Sequence, residues 1–168
     1  MSAVSVPLRD GTSVVIRPVD PADRALVAAG FEHLSEQSRY QRFFRVVDHL
    51  TDDELDFFTD VDHDQHEAVG AVTEDGTRGL GIARYIRLAP GSDKAEVAIV
   101  VADEAQGRGI GRALMEELAR RARAQGITRF VAQTGSDNRP FRRLMERLGP
   151  TRVTAMDLGT IELETELA

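Results

Sequence analysis

Three glycines at alternate positions lie in the segment with the clearest capacity for chemistry. The run QGRGIG, Gln106 to Gly111, follows an apolar strand pattern and precedes an amphipathic helix pattern. Glycine lets the backbone approach a ligand closely, and a helix start adds unpaired N–H groups and the positive end of the helix dipole. These features predict a cradle for an anion such as a pyrophosphate. The alternative is a plain strand-to-helix turn in which the glycines serve tight packing.

Two common phosphate-binding motifs do not match this segment. Dinucleotide-binding folds have an acidic ribose contact about 20 residues after their glycines, and nucleotide triphosphatases have a Lys-Ser/Thr pair after the last glycine. The chain has neither. A nucleotide-binding module is therefore the weakest of the alternatives for this loop.

The pattern Gln-x-x-Gly-x-Gly at Gln106, Gly109 and Gly111 resembles the coenzyme A loop of the GNAT superfamily of N-acetyltransferases. The resemblance implies that acetyl-CoA is the co-substrate and that its pyrophosphate binds this loop. The loop residues to which it assigns cofactor binding are Gln106, Gly107, Arg108, Gly109, Ile110, Gly111 and Arg112.

A finer resemblance covers nearly the whole chain. The stretches LRDGTSVVIRPVDPAD, LSEQSRYQRFF and AEVAIVVADEAQGRGIG are similar to the catalytic domain of actinobacterial protein lysine acetyltransferases. It implies acetyl transfer to a primary amine, with a protein lysine ahead of a small amine such as a polyamine. A non-catalytic acyl-CoA-binding or regulatory module is the alternative from another class.

Glu96 is the candidate general base. An alkylamine with a pKa of about 10 is almost wholly protonated at neutral pH, so its attack on a thioester needs a proton acceptor. Glu96 interrupts the apolar strand that leads into the loop, and its apolar neighbours predict partial desolvation, which would make the carboxylate a better base. Many GNAT enzymes use a glutamate on this strand. The alternative is a solvated charge at the start of a strand.

The resemblance also assigns roles to two further segments. It implies that Ile99, Val100 and Val101 offer backbone groups to the pantetheine arm, and that Asn138 contacts the coenzyme; Asn138 could equally be only a helix N-cap. Many relatives use a tyrosine as general acid toward the leaving thiolate. Here Met145 falls at that position and cannot donate a proton. Tyr85 is one of only two phenols in the chain.

The acceptor side is less defined. By position, Arg39, Tyr40, Arg42 and Arg45 could contact substrate or coenzyme phosphates, or they could form a solvated helix face. His63 and His66 lie in an Asp-rich segment, but their spacing matches no defined metal site, so we predict no bound metal.

The remaining pattern predicts the elements that position these residues. Helices should begin near Asp20, Ser35 and Thr51, before most of the sheet, and later at Ile110 and near Asn138. Strand-like runs lie at 13–17, 67–73, 80–88, 95–101, 128–134, 152–158 and 160–167. This order predicts an α/β (α+β) GNAT fold with a mixed, mostly antiparallel sheet of about six or seven strands and helices on both faces. We expect one acetyltransferase domain over residues 1–168.

Composition limits the remaining function classes. The absence of cysteine excludes disulfides, thiolate metal sites and a cysteine acyl-enzyme, so acyl transfer should be direct or use another nucleophile. The net charge of −7 disfavours nucleic acid and anionic membranes as partners. With no signal peptide or long apolar run, we predict a cytoplasmic protein. The resemblance also implies a possible homodimer, because late strands of this fold often pair between subunits.

Overall fold

A computed structural model describes residues 2–43 and 49–168. Within these ranges the chain forms a single sheet of eight strands in the order β1-β2-β3-β4-β5-β6-β8-β7. The strands are β1 (Val4–Pro7), β2 (Ser13–Pro18), β3 (His66–Thr73), β4 (Gly79–Arg87), β5 (Lys94–Val101), β6 (Arg129–Gly135), β7 (Thr151–Asp157) and β8 (Thr160–Glu166). Every neighbouring pair is antiparallel except β5 and β6, which are parallel.

Five α-helices accompany the sheet within the described ranges. They are α1 (Arg24–Glu32), α2 (Glu36–Phe43), α3 (Asp52–Thr59), α4 (Ile110–Ala124) and α5 (Arg139–Leu148). The predicted caps are confirmed: Asp20 caps a short 3-10 turn that leads into α1, and the Thr51 hydroxyl accepts from the Glu54 N–H at 3.1 Å. None of the described helices is long and apolar enough to cross a bilayer.

The apolar face of α4 builds the main core. Leu114, Leu118 and Ala122 recur at helical spacing and are fully buried against the sheet, where Tyr85 and Phe130 face them. Helix α5 packs beside α4, and α1 with α3 covers the opposite face of the sheet near β4. The predicted mixed sheet with helices on both faces is confirmed.

The strand count differs from the prediction by one. The additional strand is β1, which pairs with β2 in a hairpin from Val4↔Ile16 to Pro7↔Ser13. It is a short edge strand that ends in proline and has mostly exposed side chains. It therefore lacks the buried alternation by which a longer strand is recognised in a sequence.

Candidate active site

The sheet divides where the short ladder between β5 and β6 ends. These parallel strands pair at Lys94↔Arg129, Ala95↔Phe130 and Glu96↔Val131, and the ladder ends there. Beyond Glu96, β5 continues to pair with β4 only, as far as Gly81↔Val101. A groove of about 960 Å³ opens along this stretch and reaches the N-terminal ends of α4 and α5.

Most of the cofactor-binding residues that the sequence suggested line this one groove. Those in its wall are Ile99, Val100, Val101, Gln106, Gly107, Gly109, Gly111, Arg112 and Asn138. The other three predicted catalytic or cofactor-binding residues do not line the groove. Ile110 is buried in the core, and the Arg108 guanidinium donates to Asp10 in the turn between β1 and β2. Glu96 is the last residue of β5 that pairs with β6.

Backbone direction along β5 distinguishes the residues that the sequence grouped together. The Ala102 N–H donates to the Leu80 carbonyl at 2.8 Å, and the Lys94 carbonyl accepts from the Leu88 N–H at 3.1 Å. Successive residues of a strand point their backbone groups to opposite sides, so even-numbered residues of β5 face β4. Ile99 and Val101 therefore direct their N–H groups into the groove. Val100 does not, because its backbone faces β4, and it contributes only a side chain.

The loop before α4 is shaped by two glycines with positive φ. Gly107 has φ 77° and Gly109 has φ 94°, a region that L side chains rarely adopt. A Cβ at either position would meet no heavy atom within 4 Å, so open space lies where the side chain would stand. Gly109 is the N-cap of α4 and has no side chain to cap it, which leaves the N–H groups of the first turn available. This geometry suits an anionic group.

Several arginines surround this loop, with different roles. Arg108 binds Asp10 at 2.9 Å and the Thr12 hydroxyl at 2.9 Å, which attaches the loop to the β1–β2 hairpin. Arg112 lines the groove and pairs with Glu116 at 2.8 Å on an exposed helix face. Arg9 and Arg147 also line the groove, so several cationic side chains stand in its wall although the chain is acidic.

Asp103 links the loop to helix α2, a connection that sequence reasoning missed. Its carboxylate accepts from the Ser35 N–H at 2.7 Å, the Ser38 hydroxyl at 2.5 Å and the Gln106 amide at 3.3 Å. Burial alone would raise the pKa of Asp103. The hydrogen bonds from Ser38 and Ser35 outweigh this effect and hold the pKa below its usual value. Gln106 also donates to the Val101 carbonyl at 3.1 Å. No local pattern could reveal contacts between residues so far apart in the chain.

Helix α5 forms the opposite wall. Its N-cap Asn138 accepts from the Phe141 N–H at 3.3 Å and donates to the Thr134 hydroxyl at 3.1 Å. Leu144 lines the groove, whereas Met145 is fully buried in the core. Met145 therefore neither donates a proton nor lies in the groove wall.

The phenols give no proton donor among the described side chains. Tyr85 is 0% exposed on the core face of β4, and burial raises the pKa of its hydroxyl to about 12. The side chain of Tyr40 and the whole of Arg45 lie outside the described residues. Hydroxyl groups do line the groove, and they belong to Ser35, Ser38 and Thr134.

Glu96 is more open than the sequence suggested. Its side chain is exposed, so the expected partial desolvation of this carboxylate is wrong. Its neighbours on the same face are Ile86 of β4 and Val131 of β6. Burial lowers the pKa of Arg42, a side chain of α2, while the charge of Glu96 raises it, which marks Arg42 and Glu96 as an interacting pair.

A smaller cavity of about 100 Å³ lies on the face of the sheet opposite α4, under α1 and α3. It shares the side chains of Arg42 and Val100 with the large groove. Arg84 of β4 lines it and is 4% exposed, and its Nη1 lies 2.8 Å from Nε2 of His66. Burial and the charge of Arg84 lower the pKa of His66 to about 4. His66 is therefore neutral at pH 7 and accepts the hydrogen bond from Arg84.

Comparison with known proteins supplies a family context for this geometry. The profile of the Acetyltransferase (GNAT) family matches residues 30–149. Acetyltransferase Pat of Mycolicibacterium smegmatis is 35% identical over 169 residues, which cover 99% of this chain and 50% of Pat. The chain thus spans about half the length of that relative. Acetyltransferase PA5475 of Pseudomonas aeruginosa is 34% identical, over 84% of this chain and 77% of that protein.

A solved structure agrees closely in fold. The crystal structure of the GNAT domain of S. lividans PAT superimposes with a TM-score of 0.89 at 31% identity. The match covers 98% of this chain and 97% of that one.

We predict that His66 makes stability depend on pH in a definite direction. The unfolded chain, with an ordinary histidine pKa of 6.5, binds the proton more tightly than the folded chain does. The stabilisation from neutral His66 is therefore complete above pH 6.5 and is lost as the pH falls toward 4. In urea unfolding, His66→Gln should lose less unfolding free energy than the wild type between about pH 7 and pH 5.

The exposed His49 offers a matched control for this measurement. His49→Gln should keep the pH dependence of the wild type. An equal pH dependence in the wild type and His66→Gln would contradict the assignment.

Proposed function

The chain belongs to the acetyltransferase (GNAT) family, and we propose that it transfers the acetyl group of acetyl-CoA directly to a primary amine. The observation that carries the proposal is the end of the β5–β6 ladder at Glu96↔Val131. It leaves the N–H groups of Ile99 and Val101 facing a groove that leads to the glycine loop. Strand β5 thus offers two backbone donors and the Glu96 carboxylate, and it leads directly into the glycine loop that suits an anion.

The groove fits acetyl-CoA in both size and chemistry. Its volume of about 960 Å³ lies at the upper end of the range for small-molecule sites. We assign the pyrophosphate to the loop of Gln106–Arg112, because open space lies over Gly107 and Gly109 and a helix begins there. Bound there, acetyl-CoA supplies an activated acetyl thioester. The β5 backbone would hold its extended arm, and Asn138 stands on the opposite wall.

Glu96 is our choice for the general base. In the proposed reaction the amine nitrogen forms a bond to the acetyl carbon, the bond between that carbon and sulfur breaks, and Glu96 accepts the amine proton. Its place at the last rung puts the carboxylate where the two strands separate. Because Glu96 is exposed, a water molecule can also relay the proton between the amine and the carboxylate.

The leaving thiolate needs no phenol in this proposal. The cysteine thiol, the protein analogue of the coenzyme A thiol, has a pKa of about 8.5, so a thiolate is a stable enough anion to leave without prior protonation. The described groove wall offers hydroxyl groups but no tyrosine, which agrees with unassisted departure.

Two acceptor classes have separate support. Similarity to Pat and to the PAT GNAT domain supports a lysine of a protein, and the acidic net charge of −7 would favour a cationic acceptor surface. The small cavity of about 100 Å³ under α1 and α3 supports a small amine instead.

We predict that Gly109→Val removes most of the affinity for acetyl-CoA in a folded protein. A β-branched residue disfavours positive φ, and its side chain would enter the space that we assign to the pyrophosphate. Gly126 gives a matched control, because it lies at the other end of α4 with φ 81° and equally open surroundings. Gly126→Val should lose similar stability yet bind acetyl-CoA as the wild type does. Calorimetry that finds equal affinity in both variants would refute the loop assignment.

We predict that Glu96→Gln lowers the rate of acetyl transfer at pH 7 by roughly 10²–10⁴-fold, with little change in acetyl-CoA affinity. The loss should shrink at high pH, where the amine is already neutral. The assay follows release of coenzyme A thiol with three acceptor sets: small amines, lysine peptides and a protein extract read by mass spectrometry.

Each outcome of this assay has a definite meaning. Turnover in any set that is lost in Glu96→Gln supports the proposal, and the set used best identifies the acceptor class. Full activity of Glu96→Gln at pH 7 would assign Glu96 a structural role. Acetyl-CoA binding without turnover in all three sets would favour the non-catalytic acyl-CoA-binding module.

A further inference from the structure

Arg84 is a buried cation whose polar contacts leave part of its guanidinium unused. Its Nη1 donates to the Phe58 carbonyl at 3.2 Å and lies 2.8 Å from Nε2 of His66. Its guanidinium carbon stands 4.5 Å from the centre of the Phe58 ring. The Nε of Arg84 is buried and has no hydrogen-bond partner among the described residues.

The surroundings of Arg84 do not balance its charge. Burial and the neighbouring charge of Arg42 lower the pKa of Arg84 to about 9. His66 is neutral at pH 7 and accepts a hydrogen bond without supplying a negative charge. Asp23, which lines the same cavity, is engaged by Arg17 at 2.6 Å. In the described parts of the chain, no carboxylate forms an ion pair with Arg84, and burial of an unpaired charge is costly.

Arg84 is close to the proposed base. It pairs with Ala98 across β4 and β5, and Glu96 lies two positions earlier on the same face. Diagonal neighbours of this kind have Cα atoms about 7–8 Å apart. Both side chains therefore stand on one face of the sheet, where a single acceptor molecule can meet them.

We propose that the Arg84 guanidinium binds a carboxylate of the acceptor, so that the acceptor is a small molecule with an amine and a carboxylate a few bonds apart. The inference rests on the proposed acetyl transfer beside Glu96 and narrows its acceptor class. A guanidinium presents a planar set of donors that matches a carboxylate. The cavity of about 100 Å³ and the 4% exposure of Arg84 favour a small ligand over the surface of a folded protein.

The alternative is a purely structural arginine. Its bond to the Phe58 carbonyl and its stacking on the Phe58 ring hold the C-terminal end of α3 against β4. In that case Arg84 affects stability but does not distinguish an acid from its amide.

The first test measures binding alone and needs no catalysis. The probes are N-acetyl-L-alanine and N-acetyl-L-alanine amide, product analogues that differ only in the carboxylate. We expect the wild type to bind the acid at least ~10-fold more tightly, with a shift of the His66 ring resonances in NMR spectra. Arg84→Gln should bind both probes equally. Arg152 is exposed on the edge strand β7 and pairs with Glu164 of β8. It gives a control of equal charge change, because Arg152→Gln should keep the preference for the acid.

The second test measures turnover with matched acceptors. L-Lysine is compared with 1,5-diaminopentane, and L-alanine with ethylamine, by release of coenzyme A thiol. We expect kcat/KM to favour the amino acid of each pair by at least ~10-fold in the wild type, and Arg84→Gln to remove the preference by weakening only the amino acids. If Arg84→Gln does not fold, Arg84→Lys keeps the charge but loses the planar set of donors, and it should retain only part of the preference.

Failure of this inference is distinct from failure of the proposed function. Turnover of amines without a preference for the carboxylate, or equal binding of acid and amide by the wild type, would overturn the carboxylate site and leave acetyl transfer intact. A lysine peptide without a free carboxylate as the best acceptor would also overturn it. A preference for the acid in binding, without turnover of any amine, would support the site and refute the transfer.

Discussion

The end of the β5–β6 ladder at Glu96↔Val131 is the constraint on which the rest of the site depends. Backbone N–H groups must be hydrogen-bonded or reach water, and a strand beside a missing partner keeps a row of them open on one side. Along β5 that row belongs to Ile99 and Val101, because the backbone of Val100 between them faces β4. The N-terminal ends of α4 and α5 stand on either side of the opening, so the unpaired edge faces a groove.

The same strand separates two chemical environments. On one face of β5, Val97 joins the core beneath α4, and the groove continues into the glycine loop. Glu96 and Val100 lie on the other face, which α1 and α3 partly cover. The smaller cavity and Arg84 are on this face too. Asp103 ties these sides together by holding both the start of α2 and Gln106. The loop of Gln106–Arg112 and helix α2 are therefore attached to a single carboxylate.

The sequence predicted what short-range patterns encode, and missed what depends on distant contacts. Helix α4 and its glycine N-cap were predictable, because periodicity and the alternate glycines are local signals. The partner of Arg108 was not, since Asp10 lies 98 residues earlier, and the burial of Arg84 depends on α3 covering β4. The exposure of Glu96 depends on what covers its face of the sheet, where its cross-strand neighbour Ile86 is also exposed, and the apolar neighbours of Glu96 in the sequence do not reveal this. The backbone direction of Val100 likewise follows from strand register alone.

Hydrogen exchange of the β5 amides with and without acetyl-CoA shows whether the open edge of β5 binds the cofactor. We predict that the Ile99 and Val101 amides gain protection when acetyl-CoA is bound, because each then has an acceptor in the groove. The Ala98 and Val100 amides, already bonded to β4, should be protected in both states and serve as internal controls. Unchanged exchange at Ile99 and Val101 under saturating acetyl-CoA would contradict the claim that this strand edge is the binding surface.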